Sequence, residues 1–146
     1  MNIADLLSPA EIMIDVRATN KRSLLEEFAA RSAAGLGIPA DRIASYLLKR
    51  EDLGSTGIGR GVAIPHARLP DLQRPYGLFA KLKQPVDFDA IDGQAVDVVF
   101  ALLLPAAAEN EALAALALVA RTLRSPETLA RSRASKNPAE LYATIA

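Results

Sequence analysis

The chain has no cysteine, which excludes disulfides, cysteine-ligated zinc, iron–sulfur clusters and thiol nucleophiles. Histidine is almost as scarce, with one in 146 residues. A metal site would have to draw on scattered carboxylates such as Asp87, Asp89 and Asp92, which read better as turn residues. Charge of one sign is not in excess either. The 17 basic and 17 acidic residues cancel to a formal charge of zero, so there is no general electrostatic drive toward nucleic acid or an anionic membrane. Long apolar runs are missing as well. The longest, Val98 to Leu104, falls far short of the ~20 residues of a membrane-spanning helix and reads as a buried strand. The opening Met1-Asn2-Ile3-Ala4-Asp5-Leu6-Leu7 lacks the basic and apolar regions of a secretory signal, and a cytoplasmic protein is expected. Internal repeats, linkers and low-complexity segments are likewise absent.

What is there is a chain that is 51% hydrophobic, long enough for one substantial core and short for two, so residues 1–146 are expected to form a single domain. A short strand is expected at Glu11 to Val16. Asn20 then caps a helix to about Ala34 that buries Leu24, Leu25 and Phe28, and Gly35 and Gly37 end it. Pro39 and Asp41 open a second helix, with Ile43, Tyr46 and Leu47 on one side and Arg50 at its end. Strands are expected at Val62 to Ile64, Gly77 to Leu82 and Ala95 to Leu104, with a bend and turn over Pro85 to Gly93. The near-continuous apolar character of the last strand suits a central position covered on both faces, as in layered α/β folds. A helix from Glu109 to Arg124 carries Leu113, Leu116, Ala120 and Leu123 along one stripe, and short helices restart at Ser125-Pro126 and Asn137-Pro138.

The densest signal lies at Gly54 to His66, where four glycines in eight residues precede a short apolar strand and the only histidine. Such a turn lets backbone amides converge on a small oxyanion beside an imidazole, which suggests phosphate chemistry. Better-known phosphate loops fit poorly. Gly54 and Gly59 have Walker A spacing, but Arg60-Gly61 stands where Lys-Ser/Thr is required. Gly57-Ile58-Gly59 starts a dinucleotide fingerprint, but Val62 takes the place of the third glycine and a strand follows instead of a helix. A hydrolase triad of His66 with Ser55 and an aspartate lacks the G-x-S-x-G elbow. Taken singly, His66 reads more readily as a loop histidine bonded to backbone, and Arg50 as a helix C-terminal arginine making a dipole contact.

The segment as a whole resembles a known family. Leu47-Leu48-Lys49-Arg50-Glu51, Gly54-Ser55-Thr56-Gly57-Ile58-Gly59 and Val62-Ala63-Ile64-Pro65-His66-Ala67-Arg68 are similar to the active-site signature of enzyme IIA domains of the fructose/mannitol class in the bacterial phosphotransferase system. The resemblance continues through Pro85-Val86-Asp87-Phe88, Asp92-Gly93 and Val96 to Pro105. Asp89 to Gln94 after Phe88, with no attached sugar-transport domain, resembles the nitrogen-regulatory branch most.

The resemblance implies an α/β layered sandwich with a central mixed β-sheet flanked by helices. It also implies that His66 accepts a phosphoryl group, on Nε2, from a histidine phosphocarrier protein of the HPr type. The chain would then act as a regulator on target proteins that the sequence does not identify, as a phosphotransferase component with no cofactor, no metal, no nucleic acid and no membrane among its partners. Arg50 would stabilise the phosphoryl charge, since a guanidinium binds two oxygens at once, and Ser55, Thr56, Gly57 and Gly59 would complete the cradle. Family members commonly carry a second histidine before a leucine in the late helix, where this chain has Ala112-Leu113. That departure suits an alternative, a phosphorylation-independent interaction module of the same fold. A sugar-specific IIA component is the third reading.

Overall fold

Strand β6 (Val96–Pro105) is covered on both faces, because its alternate side chains feed two separate cores. Val98, Phe100, Leu102 and Leu104 point to one side, and Val99, Ala101 and Leu103 to the other. This two-sided burial is what a continuous apolar run encodes in a layered α/β protein. The computed structural model describes residues Met1–Ala146.

Around β6 the sheet is mixed. Strand β5 (Tyr76–Val86) runs antiparallel to it, with Leu78 opposite Ala101, and β1 (Ile12–Val16) lies parallel to β5. On the other side of β6, two short strands run parallel to it in succession, β3 (Val62–Ala63) and β4 (His66–Leu69). Strand β2 (Gly57–Gly59) pairs antiparallel with β3. Helices α1 (Lys21–Leu36) and α2 (Ala40–Leu53) cover one face. Helices α3 (Glu109–Leu123), α4 (Pro126–Ala134) and α5 (Pro138–Ala143) cover the other, together with apolar residues of the N-terminal segment. The expected layered sandwich with a central mixed sheet is the architecture found.

Local chemistry explains where the elements begin. The Asn20 side chain accepts from the Ser23 amide at 2.8 Å and starts α1, while Ser125 and Asn137 do the same for α4 and α5. Gly35 was expected to help end α1 but lies within it, against the Tyr76 hydroxyl, and Gly37 alone forms the C-cap. The strand expected at Gly77 to Leu82 runs on through Pro85 to Val86.

Two further expectations change. Helix α3 buries Ala112, Ala115, Val119 and Leu123, so the core-facing stripe is displaced from the predicted one and Leu113 is 52% exposed. Alanines line the face nearest the sheet, and the flanking leucines lie at its rim. His66 does not simply follow a strand. It opens β4, a strand the sequence reading omitted.

Candidate functional site

Parity along β4 fixes the direction of His66. Ala67 and Leu69 pack with α2 in the core, so alternation turns His66 and Arg68 to the opposite face, toward α3. Arg68 there pairs with Glu109 in the first turn of α3 at 3.6 Å. The backbone holds the histidine in register opposite Leu102, whose amide donates to the Pro65 carbonyl at 2.9 Å.

Arg50 reaches the imidazole from the last turn of α2. Its Nε donates to His66 Nε2 at 3.3 Å, and its Nη1 donates to the Gly54 carbonyl at 2.9 Å. The second contact satisfies a carbonyl just past the helix end and anchors the guanidinium. On the other side of the ring, His66 Nδ1 donates to the Ile64 carbonyl at 2.8 Å. These two partners define one tautomer. Nδ1 carries the proton, and Nε2 presents its lone pair to a cation.

The electrostatics agree with a neutral ring. Partial burial holds the His66 pKa below its ordinary value of 6.5, opposed by the bond to the Ile64 carbonyl. The Arg50 charge lowers it further, Glu51 raises it, and Arg68 lowers it. A half-buried neutral imidazole beside two cations is a nucleophile and also a place where an added anion would be stabilised.

The glycine turn that precedes the histidine is built tightly. Arg60 and Gly61 both adopt left-handed conformations, with φ of 58° and 78°, as a two-residue hairpin between β2 and β3 requires. The Arg60 amide donates to Asp92 at 2.9 Å, and its carbonyl accepts from Arg133. At Gly57 a Cβ would stand 2.8 Å from that of Ala90, so the segment from Asp87 to Gly93 lies directly against the turn.

The polar groups expected to form a phosphoryl cradle have protein partners here. Ser55 Oγ donates to the Phe88 carbonyl and accepts from the Gly57 amide at 3.1 Å. The Thr56 amide and hydroxyl donate to Glu51 at 2.9 and 2.6 Å. Gly59, with φ of 99°, lies close to the Asp92 carboxylate, where a Cβ would meet Oδ2 at 3.3 Å. The structure thus brings Arg50 and His66 into contact and engages Ser55, Thr56 and Gly57 in shaping the turn. Ala112 is fully buried on the face of the sheet toward which His66 turns.

Glu51 and Lys21 escaped the sequence reading. Lys21 sits in the first turn of α1 and Glu51 in the last turn of α2, so each charge opposes its own helix dipole. They meet at 3.1 Å. Charges at the wrong ends of two helices were the available signal.

Comparison with known proteins gives a consistent result. The family model described as phosphoenolpyruvate-dependent sugar phosphotransferase system, EIIA 2, matches residues 5–146. The chain is 42% identical over 146 residues to a nitrogen regulatory protein of Bradyrhizobium diazoefficiens, covering 100% of this chain and 95% of that one. Its structure is similar to that of nitrogen regulatory protein IIA-Ntr from Neisseria meningitidis, with a TM-score of 0.93, 31% identity and 99% of both chains covered. The IIA mannitol structure from Escherichia coli shares the fold, with a TM-score of 0.78 at 16% identity over 95% of this chain and 98% of that one.

Proposed function

The chain belongs to the EIIA 2 family of the phosphoenolpyruvate-dependent sugar phosphotransferase system, and we propose that it is a regulatory member that accepts a phosphoryl group on His66. The donor is a histidine phosphocarrier protein of the HPr type. As the phosphorus–nitrogen bond of the carrier breaks, its electron pair returns to the carrier imidazole, and the lone pair on His66 Nε2 forms the new bond. Such a transfer needs in-line positioning and charge stabilisation more than covalent help. The observation that carries this reading is the pair of contacts on the ring, Nδ1–H to the Ile64 carbonyl and Arg50 Nε to Nε2.

Arg50 changes partner in this step. It gives up the Nε2 lone pair and takes the phosphoryl oxygens, a better acceptor for a planar cation. Arg68 adds positive charge nearby. Ser55, Thr56, Gly57 and Gly59 serve by holding the turn in shape. Phosphorylation replaces a neutral ring by a dianionic group on the surface, which alters the proteins it can bind. The name of the relatives supports a regulatory role, and the reading has the chain act in the cytoplasm as one domain. No helix is long and apolar enough to cross a membrane.

The test is incubation with phosphoenolpyruvate, enzyme I and the carrier, followed by intact-mass measurement of the wild type and of His66→Ala. A phosphoryl adduct on the wild type alone is expected. An adduct that survives His66→Ala would refute the site, and none on the wild type would refute the function.

One observation favours a second reading, a module that binds partners without phosphorylation. Ala112 stands where the resemblance leads one to expect a second imidazole, and it is packed in the core. Absence of the adduct under conditions that phosphorylate a relative would favour this reading.

A further inference from the structure

Glu51 is a carboxylate with a side chain only 4% exposed, at a helix end that repels it. Such a group persists only when its oxygens are paired, and both are. Oε2 accepts from Lys21 Nζ at 3.1 Å and from the Thr56 amide at 2.9 Å, and Oε1 accepts from the Thr56 hydroxyl at 2.6 Å. Thr56 is therefore clamped through backbone and side chain at once.

The clamp leads to the imidazole. The Thr56 carbonyl accepts from the Ile64 amide at 3.0 Å, and the Ile64 carbonyl accepts from His66 Nδ1 at 2.8 Å. Each link ties down the residue whose carbonyl makes the next. Lys21, besides pairing with Glu51, lies 5.2 Å from the centre of the Phe88 ring and 3.5 Å from Asp89. Helix α1, helix α2, the segment at Phe88-Asp89 and the glycine turn thus converge on one carboxylate.

We infer that Glu51 is a positioning residue for phosphoryl acceptance at His66, acting through Thr56 and Ile64 to hold the proton on Nδ1 and leave the lone pair on Nε2. The inference rests on the reading of His66 as the acceptor. In the other tautomer, Nε2–H would face Arg50 Nε, donor against donor, and no lone pair would meet the phosphorus. The Ile64 carbonyl selects against that state only while its direction is held. Glutamine at position 51 has one acceptor oxygen where three donors now converge, so Thr56 loses part of its clamp and Lys21 the nearer of its two counter-charges.

The single histidine makes the test direct. A long-range proton–nitrogen spectrum of the uniformly 15N-labelled protein reports which ring nitrogen is protonated, with no phosphoryl donor present. Wild type should show Nδ1–H, Glu51→Gln a mixture with Nε2–H, and Thr56→Val, which keeps the amide contact, a smaller shift in the same direction. In transfer assays Glu51→Gln should lose about tenfold or more in kcat, with KM for the carrier within about twofold.

A folded Glu51→Gln protein with an unchanged tautomer would overturn the inference, whatever its transfer rate. If thermal melting shows that Glu51→Gln does not fold, Thr56→Val decides the matter in the same way. A wild type that takes no phosphoryl group sinks the acceptor reading, and the tautomer spectra still decide whether Glu51 orients the ring.

Discussion

At His66 the same guanidinium that accepts no substitute geometrically also tunes the ring. Arg50→Lys keeps the positive charge and loses the fork that reaches His66 and the Gly54 carbonyl together. It should therefore slow transfer by about tenfold or more, because a flexible ammonium does not reproduce a bidentate contact. Single-turnover transfer from the phosphorylated carrier measures this, and a rate equal to wild type would show that charge alone suffices. Protonation gives a second prediction. Burial, then Arg50 and Arg68, depress the His66 pKa against the opposing effects of the Ile64 carbonyl and Glu51. The ring should remain neutral as pH falls past 6.5, so transfer should hold where an exposed histidine would already be half protonated. Arg50→Ala removes a cation and opens the site to water, and both changes raise the pKa. Its acid limb should move to higher pH in an imidazole titration, and a limb that moved lower would contradict this electrostatic account.

The elements around the site show how little room it has. A methyl group on Gly57 would meet the Ala90 side chain at 2.8 Å and its backbone at 3.2 Å. Gly57→Ala should thus destabilise by about 1–3 kcal/mol, as overpacking does, and Ala90→Gly should recover part of the loss. Urea unfolding of the two single variants and the double one checks this, and simple additivity would argue against direct contact. Helix α3 constrains the site similarly. Restoring an imidazole by Ala112→His inserts a polar ring where exposure is zero, so it should lower stability by about 1–3 kcal/mol or more. Faster transfer from a variant as stable as wild type would show that the first turn of α3 opens. Much of this was legible in the chain. The Asn20 cap, the apolar run of β6, and the adjacency of Arg50 to a glycine turn ending in His66 all carry local signals. Strand β4 did not, because Pro65 interrupts the apolar pattern before it and His66-Ala67-Arg68-Leu69 is too short to show a period. The buried face of α3 was misread because its alanines pack closest to the sheet, whereas the sequence pattern gives weight to leucines. The contact between Glu51 and Thr56 stayed hidden because nothing in either residue alone says that the chain folds back over five positions to join them.

Across the whole molecule, a sandwich with one histidine turns a local pKa into a global property. Histidine is the side chain whose ordinary pKa lies between about 5 and 8, and this chain has one. Its pKa in the fold lies below the value of 6.5 expected in the unfolded chain. As pH falls through 6.5 the unfolded state binds a proton at His66 and the folded state does not yet do so. The number of protons bound is then larger in the unfolded chain, so stability declines with falling pH. The contribution is fully present above pH 6.5 and is lost as pH falls through the folded pKa, below which both states are protonated. Urea midpoints measured at intervals from pH 8 to pH 5.5 should therefore fall in the wild type, starting near 6.5. In His66→Ala the same series should be flatter, because the group responsible for the slope is gone. A His66→Ala protein that kept the wild-type slope would refute its assignment to this imidazole.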